Sequence, residues 1–119
     1  MKNEATGLRR LINAARYSWQ GFRAAYHSEE AFRQEVWVAV VLVPAGLWLG
    51  DGGVEKVLLV GSVLLLMIVE LLNSAIESVV DRFGPEWNEF AGRAKDMGSA
   101  SVFLAIGTLW LTWALVLLS

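Results

Sequence analysis

The sequence has 119 residues, of which 55% are hydrophobic and 18% are charged, and its mean hydropathy is +0.48. A soluble domain of this size exposes much of its surface and needs more charge to cover it, so the composition indicates a membrane protein. The chain has no cysteine and one histidine, which excludes disulfides, thiolate chemistry and a multi-histidine metal site. Its formal charge of −2 gives no reason to expect a nucleic-acid partner.

The N-terminal segment predicts a helix that lies on a membrane rather than across it. We place this amphipathic surface helix at residues 6–27, where arginines recur every seven residues along one edge of an apolar face. These arginines would reach lipid or nucleotide phosphates, although a plain membrane anchor would show the same pattern. The apolar face consists of Leu8, Leu11, Ile12, Ala15, Trp19, Phe22 and Tyr26.

Three later stretches are poor in charge and predict membrane-spanning helices at residues 30–50, 56–82 and 97–118. The second and third are long enough to cross a hydrocarbon core, which needs about 20 helical residues. The first has a shorter uncharged run and borrows a turn from the polar residues before it, with Arg33 extending to the interface. The predicted fold is an all-α integral membrane protein, a single unit over residues 1–119 with three transmembrane helices and an N-terminal amphipathic surface helix.

The basic residues indicate the orientation of these spans. Nine of the ten lysines and arginines lie in residues 1–35 or in residues 82–95, at the end of the bundle that joins the second span to the third. The positive-inside rule makes that side cytoplasmic. We therefore expect a cytoplasmic N-terminus and a C-terminus on the opposite side.

The second span carries a polar stripe, which is the most informative feature of the sequence. At 100° per residue its five members fall within about 100° of one face. Ionisable groups are costly in a bilayer and usually mark a functional site, whereas asparagine and serine alone would suit a hydrogen-bonded seam between helices. Carboxylates can hold Mg²⁺ or act as a general base, and proton or cation transport would use the same groups. The members are Glu70, Asn73, Ser74, Glu77 and Asp81.

Four segments together resemble one known family. They are ELLNSAIESVVDR at residues 70–82, GRAKDMGSA at 92–100, AARYSWQGFRAA at 14–25 and EEAFRQE at 29–35. In order and spacing they are similar to the prokaryotic diacylglycerol kinases over nearly the whole chain. The resemblance implies a homotrimer in the bacterial inner membrane with active sites shared between subunits. It also implies transfer of the γ-phosphate of Mg·ATP to diacylglycerol, a lipid in the bilayer, to give phosphatidic acid.

The resemblance further implies roles for individual residues. Glu70 would be the general base, Asn73 would orient it, and Glu29 and Glu77 would hold Mg²⁺. Contacts with ATP would come from Arg10, Tyr17, Glu29, Glu77, Glu86, Trp87, Asn88, Lys95 and Asp96. Contacts with the lipid would come from Arg10, Trp19, Arg23, Glu35, Trp48, Lys56, Glu70, Ser99 and Trp113.

Three alternatives remain open at this point. A related branch of the family phosphorylates undecaprenol, and the choice of lipid depends on the shape of a pocket. A small proton or cation transporter would use the carboxylates of the stripe but would need polar groups on both sides of the membrane. A purely structural membrane protein would leave Lys95, Asp96 and the carboxylates unexplained.

Overall fold

The computed structural model describes residues 6–84, 86 and 88–119, and most of these lie in four helices. They are α1 (Gly7–Ser28), α2 (Glu30–Leu49), α3 (Gly52–Asp81) and α4 (Glu89–Leu118). No strand occurs among the described residues. By length and composition α2, α3 and α4 can each cross a membrane. The predicted all-α membrane fold, with three spans and an additional N-terminal helix, is therefore confirmed.

The last helix begins upstream of the predicted third span. The side chain of Asn88 accepts hydrogen bonds from the N–H groups of Phe90 and Ala91, at 2.8 and 3.2 Å. This cap satisfies N–H groups that have no partner within the first turn, so the helix starts at Glu89 rather than near residue 97. Lys95 consequently lies on a helix and not on a loop, so its side chain leaves the backbone in a defined direction.

The helix α3 is the centre of the bundle. It packs along α4 and α2, while α2 and α4 barely touch each other. The helix α1 contacts mainly α2 and reaches α3 only near its C-terminus. The buried core is formed by Ala39 of α2, Val63 and Leu66 of α3, and Ala105 and Leu109 of α4.

A glycine allows α2 to lie close to α3. A Cβ atom added at Gly46 would stand 3.1 Å from the Cβ atom of Leu59 and 3.3 Å from a methyl group of Val60. Helices within a bilayer gain no hydrophobic energy from leaving lipid, so close van der Waals packing through small residues is what holds them together. Gly46 is therefore a packing requirement of the outer half of the bundle, away from Glu70.

The junction of α1 and α2 consists of one residue, Glu29. Its N–H donates to the carbonyl of Ala25 at 2.9 Å. The guanidinium of Arg33 donates to the carbonyls of Tyr26 and His27, at 2.7 and 3.3 Å. These carbonyls belong to the last turn of α1, where the helix dipole attracts a cation. Arg33, expected to extend to the membrane interface, thus fixes the end of α1 to α2.

The apolar face of α1 is uncovered by the rest of the chain. Leu8 and Leu11 are exposed, as is Trp19 in the middle of the helix, and Ala25 is the one buried residue of the helix. An amphipathic helix with such a face is typical of a segment that rests in the interfacial layer of a membrane.

Candidate active site

The polar stripe of α3 runs from the interior of the bundle to an exposed helix end. Glu70 is 5% exposed and Ser74, one turn later, is 9% exposed. Glu77 is half-buried, and Asp81 at the end of the helix is exposed. Water therefore reaches one end of the stripe, while the protein encloses Glu70 at the other.

Three further carboxylates surround Glu70 closely enough to act on it electrostatically. They belong to Glu77 on the same helix, Glu35 on α2 and Glu29 at the junction of α1 and α2. Four acidic groups from three parts of the chain thus influence one another electrostatically around Glu70. Like charges repel strongly where the dielectric is low, so this arrangement suits a cation or a proton that is being transferred.

The helix junction places Glu29 in a cleft against α3. The cleft has a volume of about 360 Å³ and lies between the C-terminal half of α1 and α3. Besides the carboxylate of Glu29 it presents the hydroxyl-bearing residues Ser18, Ser28, Ser74 and Ser78. These groups are the polar part of a cleft whose lining is otherwise apolar, and Glu29 is its one charged residue.

Asn73 faces the backbone of α4 at a single point. A Cβ atom at Gly98 would overlap its amide oxygen and would lie 3.2 Å from its Cγ atom. That amide oxygen is buried and has no N–H or O–H partner among the described residues. It points instead at the Cα–H group of Gly98, which can form only a weak hydrogen bond. Asn73, one turn from Glu70, can therefore take this position only because residue 98 is a glycine.

Lys95 connects α4 to the exposed end of the stripe. Its Nζ atom lies 2.9 Å from Oδ1 of Asp81, and both side chains are about half exposed or more. An exposed ion pair of this kind contributes at most about 1 kcal/mol to stability. Lys95 can therefore exchange Asp81 for another anion at little cost. Asp96 follows it on the exposed surface of the same helix.

Two apolar hollows contain four of the nine residues that the resemblance assigns to the lipid. Glu35 and Trp113 line one groove between α2 and α4, which has a volume of about 660 Å³. Trp19 and Arg23 line a second hollow of about 330 Å³ between α1 and the spans. Ser99 is exposed on α4, one residue after Gly98.

Other predicted residues lie away from Glu70 in this chain. Lys56 precedes Glu70 by fourteen residues in α3, which corresponds to about 21 Å. Trp48 is strongly exposed at the same far end of the bundle. Arg10 and Tyr17 lie on α1 outside the cleft and both apolar hollows. A single chain therefore does not gather the whole predicted set.

The connection between α3 and α4 holds the remaining predicted residues. Glu86 and Asn88 line a small hollow there, where the oxygen of the Asn88 side chain already caps α4. Trp87, predicted to contact ATP, lies outside the described residues.

Two residues with evident structural roles were not identified as such from the sequence. Gly98 was quoted within a motif but given no role, because one sequence cannot show that a neighbouring helix presses against it. Ser62 is buried in α3 and accepts a hydrogen bond from Nε1 of Trp113 at 3.1 Å. Nothing in the sequence distinguishes it from other serines on a span.

The donor set for a metal is incomplete within one chain. Among residues 6–84, 86 and 88–119, no three histidine or acidic side chains are close enough together to hold a metal ion. Glu29 and Glu77 offer hard carboxylate oxygens, which suit a divalent cation that brings most of its own ligands. The geometry therefore fits a metal that arrives with a phosphate compound and fits poorly a permanently enclosed metal.

Three helices that can span a membrane and an N-terminal helix, with a carboxylate buried in the central span between a cleft and an apolar groove, define a small integral membrane protein with a candidate active site. The profile of the family "Prokaryotic diacylglycerol kinase" matches residues 16–117. The chain belongs to this family, as its motifs indicated.

Individual relatives match this chain over nearly their full length. The chain is 53% identical over 119 residues to a diacylglycerol kinase of Escherichia coli, covering 100% of this chain and 98% of the relative. It is 49% identical over 114 residues to that of Haemophilus influenzae, covering 96% and 97%. It is 37% identical over 116 residues to that of Helicobacter pylori, covering 98% and 91%.

We expect the substitution Gly98→Ala to destabilise the protein because the new methyl group would displace the amide of Asn73. Overpacking of this kind costs about 1–3 kcal/mol, more than alanine gains from its better helix propensity. Thermal unfolding in detergent micelles, followed by circular dichroism, measures the effect. The matched control is Gly107→Ala, since a Cβ atom there meets nothing within 4 Å. Equal stability of the two variants would show that Asn73 does not depend on Gly98.

Proposed function

We propose that this protein transfers the γ-phosphoryl group of ATP to the hydroxyl group of diacylglycerol, giving phosphatidic acid and ADP. The observation that carries the proposal is the position of Glu70, which is buried in α3 one turn from Leu66 in the apolar groove and one turn from Ser74 in the cleft. A lipid alcohol and a water-soluble nucleotide can reach a common point only at such a boundary. The names of the relatives identify the lipid as diacylglycerol.

Glu70 acts as the general base in this proposal. Its carboxylate accepts the proton of the lipid hydroxyl as the oxygen attacks the γ-phosphorus atom of ATP. The new O–P bond forms while the bond between the γ-phosphorus and the β–γ bridging oxygen breaks, and ADP leaves. Asn73, one helical turn away, is a positioning residue that limits the movement of Glu70.

Glu29 and Glu77 are the residues that would hold Mg²⁺, supplied together with ATP. When bound, the metal neutralises charge on the triphosphate, which is the main requirement of phosphoryl transfer. Two observations support these roles. Glu29 lines the cleft beside α3, and Glu77 lies in α3 between Glu70 and the exposed end of that helix. Two protein carboxylates would suffice, since Mg²⁺ usually takes its other ligands from water and substrate phosphates.

Basic and polar groups near the exposed end of α3 bind the nucleotide. Lys95 leaves its ion pair with Asp81 and binds a phosphate oxygen instead. Because α4 begins at Glu89, Lys95 lies on a helix, which sets the direction of its side chain. The neighbouring polar residues that we assign to ATP are Arg10, Tyr17, Glu86, Trp87, Asn88 and Asp96.

The lipid occupies the apolar surfaces that converge on Glu70. Glu35 lies at the mouth of the groove, where its carboxylate can accept a hydrogen bond from the glycerol hydroxyl. Trp19 and Arg23 border the second hollow, at the depth of the surface helix. Ser99 adds a hydroxyl group on α4. The assignments of Arg10, Trp48 and Lys56 to the lipid draw no support from their positions in a single chain.

We further propose a homotrimer with active sites shared between subunits. Most of the surface of the three spans is uncovered within one chain, and α4 in particular packs on one side only. Arg10 and Tyr17 line neither the cleft nor the two apolar hollows of their own chain, so in this proposal a neighbouring copy completes the site around them.

The site lies on the cytoplasmic side of the bacterial inner membrane in this proposal. The basic residues flank the end of the bundle that carries Asp81 and Lys95, and ATP is available on that side. The N-terminus is then cytoplasmic and the C-terminus periplasmic. A transporter is disfavoured by the same distribution, because α2 beyond Glu35 and α4 beyond Asp96 have no titratable side chain to carry a proton further.

Phosphorylation in mixed micelles tests the proposal. The full-length protein is given ATP, Mg²⁺ and either diacylglycerol or undecaprenol, and the lipid products are separated and quantified. We expect phosphatidic acid to be the main product. Preferential phosphorylation of undecaprenol would contradict the assigned substrate, and the absence of any phosphorylated lipid would contradict the assigned reaction.

The substitution Glu70→Gln tests the base. The amide keeps the size of the side chain but cannot accept the proton, so kcat should fall by roughly 10²–10⁴-fold while the protein remains folded. Glu55→Gln is the matched control, because Glu55 lies near the opposite end of α3 and accepts only the N–H of Asp51. Activity of Glu70→Gln close to that of the control would refute the role.

The substitution Glu77→Gln tests the metal site separately from the base. Removing one charged ligand should raise the Mg²⁺ concentration needed for half-maximal activity about tenfold or more. The control Glu89→Gln removes a carboxylate that forms only an exposed pair with Arg93, so its Mg²⁺ dependence should stay normal. An unchanged Mg²⁺ titration of Glu77→Gln would exclude it as a ligand.

A further inference from the structure

The apolar groove between α2 and α4 begins beside Glu70. Its floor is Leu66 of α3, which lies one helical turn from Glu70 on the same face. Glu35, the one charged residue in its lining, acts electrostatically on Glu70. The groove is therefore continuous with the place where the lipid hydroxyl must lie.

Trp113 is the lining residue of the groove that lies farthest along α4 from Gly98 and the Glu70 end. Its indole N–H donates to the carbonyl of Leu59 and to the hydroxyl oxygen of Ser62, both at 3.1 Å. The hydroxyl of Ser62 in turn donates to the carbonyl of Leu59 at 2.8 Å. The ring also lies against α2, since a Cβ atom at Gly46 would be 3.5 Å from its Cζ2 atom.

These contacts hold the ring in one orientation. In a hydrocarbon environment an indole N–H without a partner is costly, and no water is available to replace Ser62. Rotation of the ring is opposed on the other side by the close approach of α2 at Gly46. Trp113 is thus a fixed wall at the end of the groove, and three helices determine its position.

The distance from the reacting hydroxyl to this wall follows from the helix geometry. Ser62 and Leu59 precede Glu70 in α3 by eight and eleven residues, which correspond to about 12 and 17 Å at 1.5 Å per residue. Half of a hydrocarbon core about 30 Å thick is about 15 Å. An acyl chain that fills one leaflet extends about as far as α3 does between Glu70 and the hydrogen-bond partners of Trp113, so a chain attached near Glu70 can reach the ring.

We infer that this groove takes one acyl chain of the acceptor lipid and that Trp113, held by Ser62, sets the chain length that the protein prefers. The inference rests on the proposed function and adds a specificity determinant to it. A chain that ends before the ring leaves part of the groove unfilled, and a longer chain must bend around the ring. Trp113 contacts the lipid, whereas Ser62 is a positioning residue.

A series of diacylglycerols with saturated chains of increasing length tests the inference. The value of kcat/KM is measured in mixed micelles for each length, with the full-length protein and its variants. The wild-type protein should show a maximum and a decline beyond it. Trp113→Ala should shift the maximum to longer chains and raise the ratio of long-chain to optimal-chain kcat/KM by roughly tenfold, the lower end of what a pocket gains or loses per methylene.

Two milder variants separate the orientation of the ring from its presence. Trp113→Phe keeps an aromatic ring but has no N–H, and Ser62→Ala keeps the tryptophan but removes one of its two acceptors. Both should broaden the chain-length profile without moving its maximum far. The matched control is Ser101→Ala, which removes a hydroxyl bonded to Met97 on the exposed side of α4 and should leave the profile unchanged.

Three results would overturn the inference. The first is a chain-length profile of Trp113→Ala identical to that of the wild type. The second is an equal loss at every length in all three groove variants, which is what a purely structural role predicts. The third is a groove variant whose oligomer dissociates, as seen by size-exclusion chromatography with light scattering, while its chain-length profile stays unchanged. That result would mean that another copy of the chain, and not an acyl chain, fills the groove. Failure of the wild-type protein to phosphorylate any diacylglycerol would instead reject the proposed function.

Discussion

A carboxylate inside a membrane-spanning helix has to be enclosed by protein, and this requirement orders the molecule. Glu70 is almost fully buried within α3, and α3 is the helix against which the others pack. The helix α4 covers one side of it, α2 covers another, and α1 reaches it through Glu29. An enclosed acidic group explains why the central helix is the one that carries the polar stripe.

Close packing takes the place of the hydrophobic effect in holding these helices together. Gly46 brings α2 against α3, and Gly98 allows α4 to approach Asn73. The indole of Trp113 adds a hydrogen bond between α4 and α3 in the half of the bundle away from Glu70. Each of these contacts uses either the absence of a side chain or a buried polar pair, as expected where lipid competes equally well for apolar surface.

The sequence predicts the elements of the fold well because charge and hydropathy patterns reflect the membrane directly. The three spans and the surface helix follow from them, and helical periodicity places Glu70, Glu77 and Asp81 on one face. Where each helix starts is set by local hydrogen bonds, so the cap at Asn88 and the longer α4 were not foreseen. The family resemblance supplied residue roles that no pattern in one chain contains.

Contacts between helices account for what the sequence does not predict about the site. Neither the gathering of Glu29 and Glu35 around Glu70 nor the contact of Gly98 with Asn73 has a sequence signal, since each depends on how two helices cross. The separation of Arg10 and Lys56 from Glu70 is likewise a matter of three-dimensional arrangement. A motif can identify the participants of a reaction, but only packing shows which of them one chain brings together.

Because the junction of α1 and α2 is the single residue Glu29, the orientation of the surface helix is coupled to the position of Glu29. Arg33 fixes the last turn of α1 to α2, so the position of the Glu29 side chain depends on the angle between these two helices. Lipids that lift or tilt α1 therefore move one proposed metal ligand relative to α3. If nucleotide binding requires Glu29 in one position, then by linkage it would favour the corresponding tilt, and the bilayer would be an effector of the proposed site.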